Sequence, residues 1–289
     1  MNIFKHVSKG LVFSLGLSIM FSLTIVLTRF LLKNGENPLN LTTWVGMATL
    51  LPWLFIFKKH AKAFTHLTKK HILLIIFIGI AGSLGIDYVE SLALANTPAA
   101  NFAFLYRTIV VFTIILAWIF FKEKITKAKI ILTVFILFGS YLLITNGKGI
   151  SLTTGDLYTL LMALTAAFIS NILIKHTVAK MHPDLSGSSI AIVATITLFF
   201  TALFAHVLVI PQNIPFIILI ALFSIASTLF RNRAYKNATA SFVTMIVSIT
   251  PLFVAILSYF FLHESLGLVE TIGGLIIVGA IVVVEKFQI

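Results

Sequence analysis

The chain has 289 residues, 59% of them hydrophobic and 10% charged, with a mean hydropathy of +1.09 and a formal net charge of +12. A soluble domain carries roughly 25% charged residues, so a water-solvated globule is excluded, and the lack of cysteine excludes disulfides, thiolate metal sites and a cysteine nucleophile. The basic excess sits in short clusters between apolar runs, which is how membrane topology is written, so no nucleic-acid partner is expected.

Uncharged runs recur at the length of about 20 helical residues that crosses a hydrocarbon core of about 30 Å. The first, Leu11 to Thr28 behind Lys5 and Lys9, is too long for a signal peptide, and no small-residue cleavage site follows it, so it reads as an uncleaved span. In chain order the spans fall at about 10–32, 39–57, 71–95, 98–121, 125–146, 155–179, 186–209, 213–236, 238–262 and 266–285. Pro38, Pro98, Pro183, Pro211 and Pro215, with Gly147, Gly149 and Gly155, lie in or beside the connections, as helix breakers should. Pro52 and Pro251 lie inside spans, where a kink is tolerated if neighbours satisfy the freed carbonyl. The expected fold is an all-α integral membrane protein of ten transmembrane helices.

With the N-terminus in the cytoplasm, 17 of the 21 basic residues fall in inner segments. Only Arg29, Lys33 and Lys148 fall outside, and Arg107 lies within a span. The positive-inside rule therefore puts both termini in the cytoplasm and the chain in the cell (inner) membrane as a multi-pass protein.

The segment Ala93 to Glu123 matches Ala234 to Glu264 at an offset of 141 residues, with 8 of 31 positions identical. The match covers the end of span 3, a tight turn and span 4, and lands in register on spans 8 and 9. Two repeats are implied, 1–147 and 148–289, and an odd number of five spans in each inserts the second upside down. The turn after span 3 lacks Lys and Arg, whereas its counterpart is preceded by Arg231, Arg233 and Lys236, as opposite leaflets require. Inverted repeats around an in-plane axis are a recurring plan of secondary transporters, with substrate near the midplane.

The segments "WIFFKEKIT" with "FILFGSYLLI", and "YFFLHESLGLVETIGGLIIVGAIVVV", each place a Glu after an apolar helix, then a short turn and a Gly-bearing helix. With the ten spans and the five-plus-five repeat, this resembles the drug/metabolite transporter superfamily, specifically its EamA-type members, over essentially the whole chain. The resemblance implies a secondary carrier of small metabolites such as amino acids or nucleotide-linked compounds, without a cofactor.

Arg107 stands nine residues past Pro98, roughly 13 Å deep, and Asp87 stands at a similar depth on the preceding span. An unpaired Arg at that depth costs about 3 kcal/mol on insertion scales, so it is expected to face a partner or a polar cavity. Asp87 and Glu90 share nearly one helix face and are the expected partners. In the functional reading, Arg107 meets a substrate carboxylate or phosphate while a carboxylate exchanges a coupling proton; in the structural one, the pair fastens spans 3 and 4. Tyr88, Tyr106, Asn101 and Asn171 are further candidates for the pathway, although each also suits helix-to-helix bonding. Trp44 and Trp53 fit either an aromatic belt or a gate, and the belt is the preferred reading. Glu123 and Glu264 read as structural helix-end acceptors of amides opening the next helix. His60, His66 and His71 lack the tight spacing of a metal site and read as lipid headgroup contacts, so no metal site is expected.

No P-loop match exists in the sequence. The leading expectation is a carrier of a small anionic or zwitterionic metabolite working by alternating access, with the lipid bilayer as host and a homodimer compatible with the chain. A flippase for lipids or lipid-linked sugars is the first rival, and an integral membrane enzyme the second.

Overall fold

The computed structural model describes residues 8–145, 153–262 and 267–287. Among them every regular element is helical. α1 (Lys9–Lys33), α2 (Pro38–Phe64), α3 (Lys69–Asn96) and α4 (Ala99–Leu105, then Tyr106–Thr108 and Ile109–Phe121) precede α5 (Lys127–Thr145). The second half holds α6 (Thr154–Lys180), α7 (Pro183–Phe204), α8 (Ile214–Asn237), α9 (Ala240–Val247, then Thr250–Leu262) and α10 (Leu268–Phe287). Among the described residues nine helices are long and apolar enough to cross a membrane, and α5 adds a further 19-residue apolar helix. Large apolar side chains such as Leu51, Phe55, Leu268 and Leu275 are exposed on the outside, a surface suited to lipid rather than water.

Local chemistry sets the helix ends. Ser8 and Thr239 accept from amides in the first turns of α1 and α9, and Asn37 caps α2, which begins with Pro38. Thr153 and Asp156 form a capping box at the start of α6, and Lys122 ends α4 in a left-handed conformation (φ 57°).

Interruptions mark the middle of the molecule. Pro251 has no N–H to give the carbonyl of Val247, four residues back, and α9 breaks between them. α4 tightens into a 3₁₀ turn at Tyr106–Thr108, and position 107 plus 141 is 248, so the two breaks are equivalent under the repeat offset. α3 and α6 widen into π-helical turns at Ser83–Tyr88 and Ala167–Leu173.

The halves interlock. α1 packs on α8 and α3 on α6; α1 also meets α9, as α6 meets α4; α2 lies on α7, and α5 on α10. Exchanging the halves leaves this set of pairings unchanged. At the α5–α10 crossing the backbones nearly touch: a Cβ on Gly139 would sit 2.8 Å from the Gly273 carbonyl oxygen, and one on Gly273 would sit 2.5 Å from that of Gly139. Small residues permit such close approach in a membrane, where dispersion and not water drives helix association. Arg29 near the end of α1 donates to the carbonyls of Leu94 and Ala95 closing α3, and Lys175 near the end of α6 donates to that of Ala238 just past α8. A cation thus serves the carbonyl end of the third helix in each half, where the helix dipole favours it.

Candidate functional site

A polar cavity of about 240 Å³ lies between α1–α3 of the first half and α6–α8 of the second. Thr24 and Thr28 face it from α1, Thr42 and Thr49 from α2, Ser170 from α6, Thr195 from α7, and Ser227 and Thr228 from α8. Asp87, Glu90 and Ser91 enter from α3, Tyr106 from α4, and Arg231 and Asn232 from α8. The π turn of α3 includes Asp87, and an extra residue in a turn commonly re-aims side chains at functional sites.

The charges are divided between the halves: both carboxylates come from α3 and the guanidinium from α8. Arg231 lies within electrostatic reach of Asp87 but forms no ion pair with Asp87 or Glu90 among the described residues. Among the described residues its Nε is buried with no hydrogen-bond partner, as is Asn232 Oδ1 beside it on the cavity wall; away from the lining Arg107 Nη2 and the Ser14, Ser140 and Ser186 hydroxyls share that state. Orphaned buried polar atoms are expensive unless something occupies the space beside them.

Below the Asn40 end of α2, Asn40 exchanges two hydrogen bonds with the backbone of Val209 (2.9 and 3.0 Å), and Trp44 Nε1 donates to the same carbonyl at 2.7 Å. Toward the other end Asn232 donates to the Pro183 carbonyl at 3.0 Å, and Arg233 donates to both oxygens of Asp184 at 3.1 Å. Each end of the cavity is therefore tied by a small number of direct polar bonds across the α2, α7 and α8 interface.

Several expected sites sit elsewhere. Arg107 is fully buried, yet it pairs with neither Asp87 nor Glu90. Its Nη1 donates to the Val247 carbonyl at 2.8 Å and its Nε to that of Ala103 at 3.2 Å, while the guanidinium lies 5.0 Å from the centre of the Tyr106 ring. Depth in the bilayer placed Arg107 level with the carboxylates but said nothing of direction; what it meets is the Val247 carbonyl, which Pro251 leaves without a backbone donor and which the Thr250 hydroxyl also serves at 2.6 Å. Asn171 is buried in a knot joining four helices: it donates to Thr113 (2.6 Å) and Thr244 (3.4 Å) and accepts from the Tyr235 hydroxyl (2.6 Å). Tyr88 packs against Leu39, Leu198 and Ala202 and does not line the cavity, nor does Asn101. Trp53 is 2% exposed and forms part of the cavity wall, so it is not a belt residue; a lipid-facing ring cannot be buried.

Glu123 accepts from the amides of Ala240 (2.9 Å) and Ser241 (3.2 Å) and from the Ser241 hydroxyl, with Lys129 Nζ at 4.0 Å. It does accept amides opening a helix, but that helix is α9, brought near by packing, and not the next one in sequence. Glu264 lies outside the described residues.

A family model for the EamA-like transporter family matches residues 8–145 and again 153–285. The chain belongs to the EamA-like transporter family. This EamA-like chain also resembles a solved crystal structure at a TM-score of 0.74 and 12% identity, over 94% of its own length and 95% of the other's, a likeness of fold. Among curated proteins none matches it.

The residue of the EamA-like chain that sequence reasoning missed is Arg231. It was counted among the basic residues of an inner segment, whereas it reaches the cavity wall. The repeat offset held the signal, since 231 less 141 is 90: Arg231 is the counterpart of Glu90. The same offset pairs Ser91 with Asn232, both of which line the cavity.

Proposed function

We propose that the chain is a secondary transporter that carries a small zwitterionic metabolite across the cell membrane by alternating access. The observation that carries this reading is the division of charge around one cavity: Asp87 and Glu90 on one wall and Arg231 on the other. A solute bearing an ammonium and a carboxylate satisfies both walls at once, and its carboxylate gives the guanidinium the charge-assisted bonds that the protein leaves unmade. Arg231 thereby takes the substrate-binding role first expected of Arg107. A volume of about 240 Å³ is below the roughly 300–1,000 Å³ of drug-sized sites, which suits an amino-acid-like solute better than a lipid-linked sugar.

In this reading ten helices form two inverted halves, 1–147 and 148–289, with both termini cytoplasmic. The exchange-invariant packing and the matched cations at Arg29 and Lys175 support it. The polar ties at the two ends of the cavity then break in alternation, and Asp87 or Glu90 takes a coupling proton as the solute leaves.

Reconstitution into proteoliposomes tests the assignment. A panel of labelled amino-acid-like solutes is loaded inside, and counterflow is measured with and without a proton gradient. Exchange of at least one zwitterion, stimulated by the gradient, is expected; exchange of anions alone would overturn the zwitterion assignment, and no flux of any small solute would overturn carriage.

A further inference from the structure

The end of the cavity beyond Trp53 holds a cluster that local spacing along the chain does not show. His60 lies on the last turns of α2, His182 caps α7, and Asp184 sits in its first turn. The two imidazole rings stack with centroids 4.3 Å apart and planes inclined by 20°, and ligand atoms of all three residues lie within 4.8 Å of one another. We propose that His60, His182 and Asp184 form a binding site for a divalent transition-metal ion of the zinc class.

Two imidazole nitrogens and a carboxylate oxygen match the borderline preference of zinc, whereas magnesium and calcium favour oxygen alone. Tetrahedral zinc holds its ligands at about 2.0–2.2 Å, which puts neighbouring ligand atoms roughly 3.4 Å apart. Closing from 4.8 Å requires the two imidazole rings to leave their stacked arrangement so that their nitrogens converge, and three protein ligands leave a fourth position for water. None of the three side chains is fully buried, so an ion has an entry path.

Two existing bonds compete with the metal. His182 Nδ1 accepts the Asp184 N–H at a long 3.3 Å, and ligation through either ring nitrogen ends that bond, because the remaining proton must then sit on Nδ1 or the metal must replace it. Arg233 holds both Asp184 oxygens at 3.1 Å, but its side chain is 39% exposed and can turn to water to release one. Arg233 is accordingly an antagonist of the site.

A bound ion would tie α2 of the first half to α7 of the second. His60 is seven residues past Trp53, about 10 Å along the helix from the cavity wall. The ion would therefore hold that end of the cavity shut without touching its lining, a consequence that rests on the alternating-access reading; binding itself does not.

The test uses tag-free full-length protein in nanodiscs, titrated with zinc chloride by calorimetry and with cobalt chloride by visible absorption. One zinc per chain, a tetrahedral cobalt band and no response to magnesium are expected. His60→Ala and His182→Ala should each weaken binding by about tenfold or more, His66→Ala should leave it unchanged, and Arg233→Gln should tighten it. Absence of stoichiometric zinc binding, or binding indifferent to both His60→Ala and His182→Ala, would overturn the proposal. In proteoliposomes zinc should slow flux by wild-type protein and spare His60→Ala. Zinc binding through these residues in a protein that moves no solute would count against carriage and leave the metal site standing.

Discussion

Glu90 on α3 and Arg231 on α8 occupy equivalent positions of the two halves and face one cavity with opposite charge. If the two repeats are related by a pseudo-two-fold axis, as proposed above, the same position of each copy falls on either side of it, and a single divergence at that position polarises the cavity. A zwitterion bound there has one orientation, set by which half supplies the anion.

Arg231→Ala and Glu90→Gln should each abolish most substrate-dependent stabilisation in a thermal shift assay. A charge-assisted bond contributes about 1.5–3 kcal/mol, so affinity should fall by roughly 10–100-fold while the unliganded melting temperature changes little. A loss of unliganded stability as large as the loss of binding would instead make these residues fasteners.

Arg107 is expected to behave in the opposite way. Arg107→Leu should lower stability by about 1–2 kcal/mol, because the Val247 carbonyl loses a charged donor that Pro251 cannot replace and keeps only the Thr250 hydroxyl. Pro251→Ala supplies the missing N–H, so in a double-mutant cycle the two changes together should cost less than their sum. Additivity in chemical unfolding would show that Arg107 and the α9 break are not coupled.

Glu123 satisfies the two amides that open α9 and stands beside Lys129. Removing a cap of this kind costs about 0.5–2 kcal/mol. Glu123→Ala should show a loss near the upper end of that range by thermal unfolding, and Glu123→Gln a smaller one, since the amide keeps an acceptor.

The natural lack of cysteine makes topology directly readable. Asn96 and Asn237 are exposed counterparts, the last residues of α3 and α8. In intact cells Asn96→Cys should react with an impermeant maleimide and Asn237→Cys only after permeabilisation. Equal labelling of both from outside would exclude inverted halves.

The helices and their order were legible because apolar runs of bilayer length need no tertiary context to be recognised. The two halves were legible from the match ending at Glu123 and Glu264. Direction was not. A residue's depth follows from counting along a helix, but whether Arg107 turns toward Asp87 or toward Val247 depends on how α4 crosses α9, which no local pattern encodes. Trp53 was misplaced for the same reason, since both a lipid-facing belt and a cavity wall accept a Trp at that depth. His60 and His182 lie 122 residues apart, and only the packing of α2 on α7 joins them. Arg231 was recoverable, because the repeat offset maps it onto Glu90.

Alternating access through this cavity is tested most directly at Thr228, which lines its wall. A Thr228→Cys variant is labelled in oriented membrane vesicles by an impermeant thiol reagent applied to one face at a time. Reaction from either face is expected, slowed in both cases by a transported solute. Reaction from one face only, under every condition of gradient and solute, would contradict it.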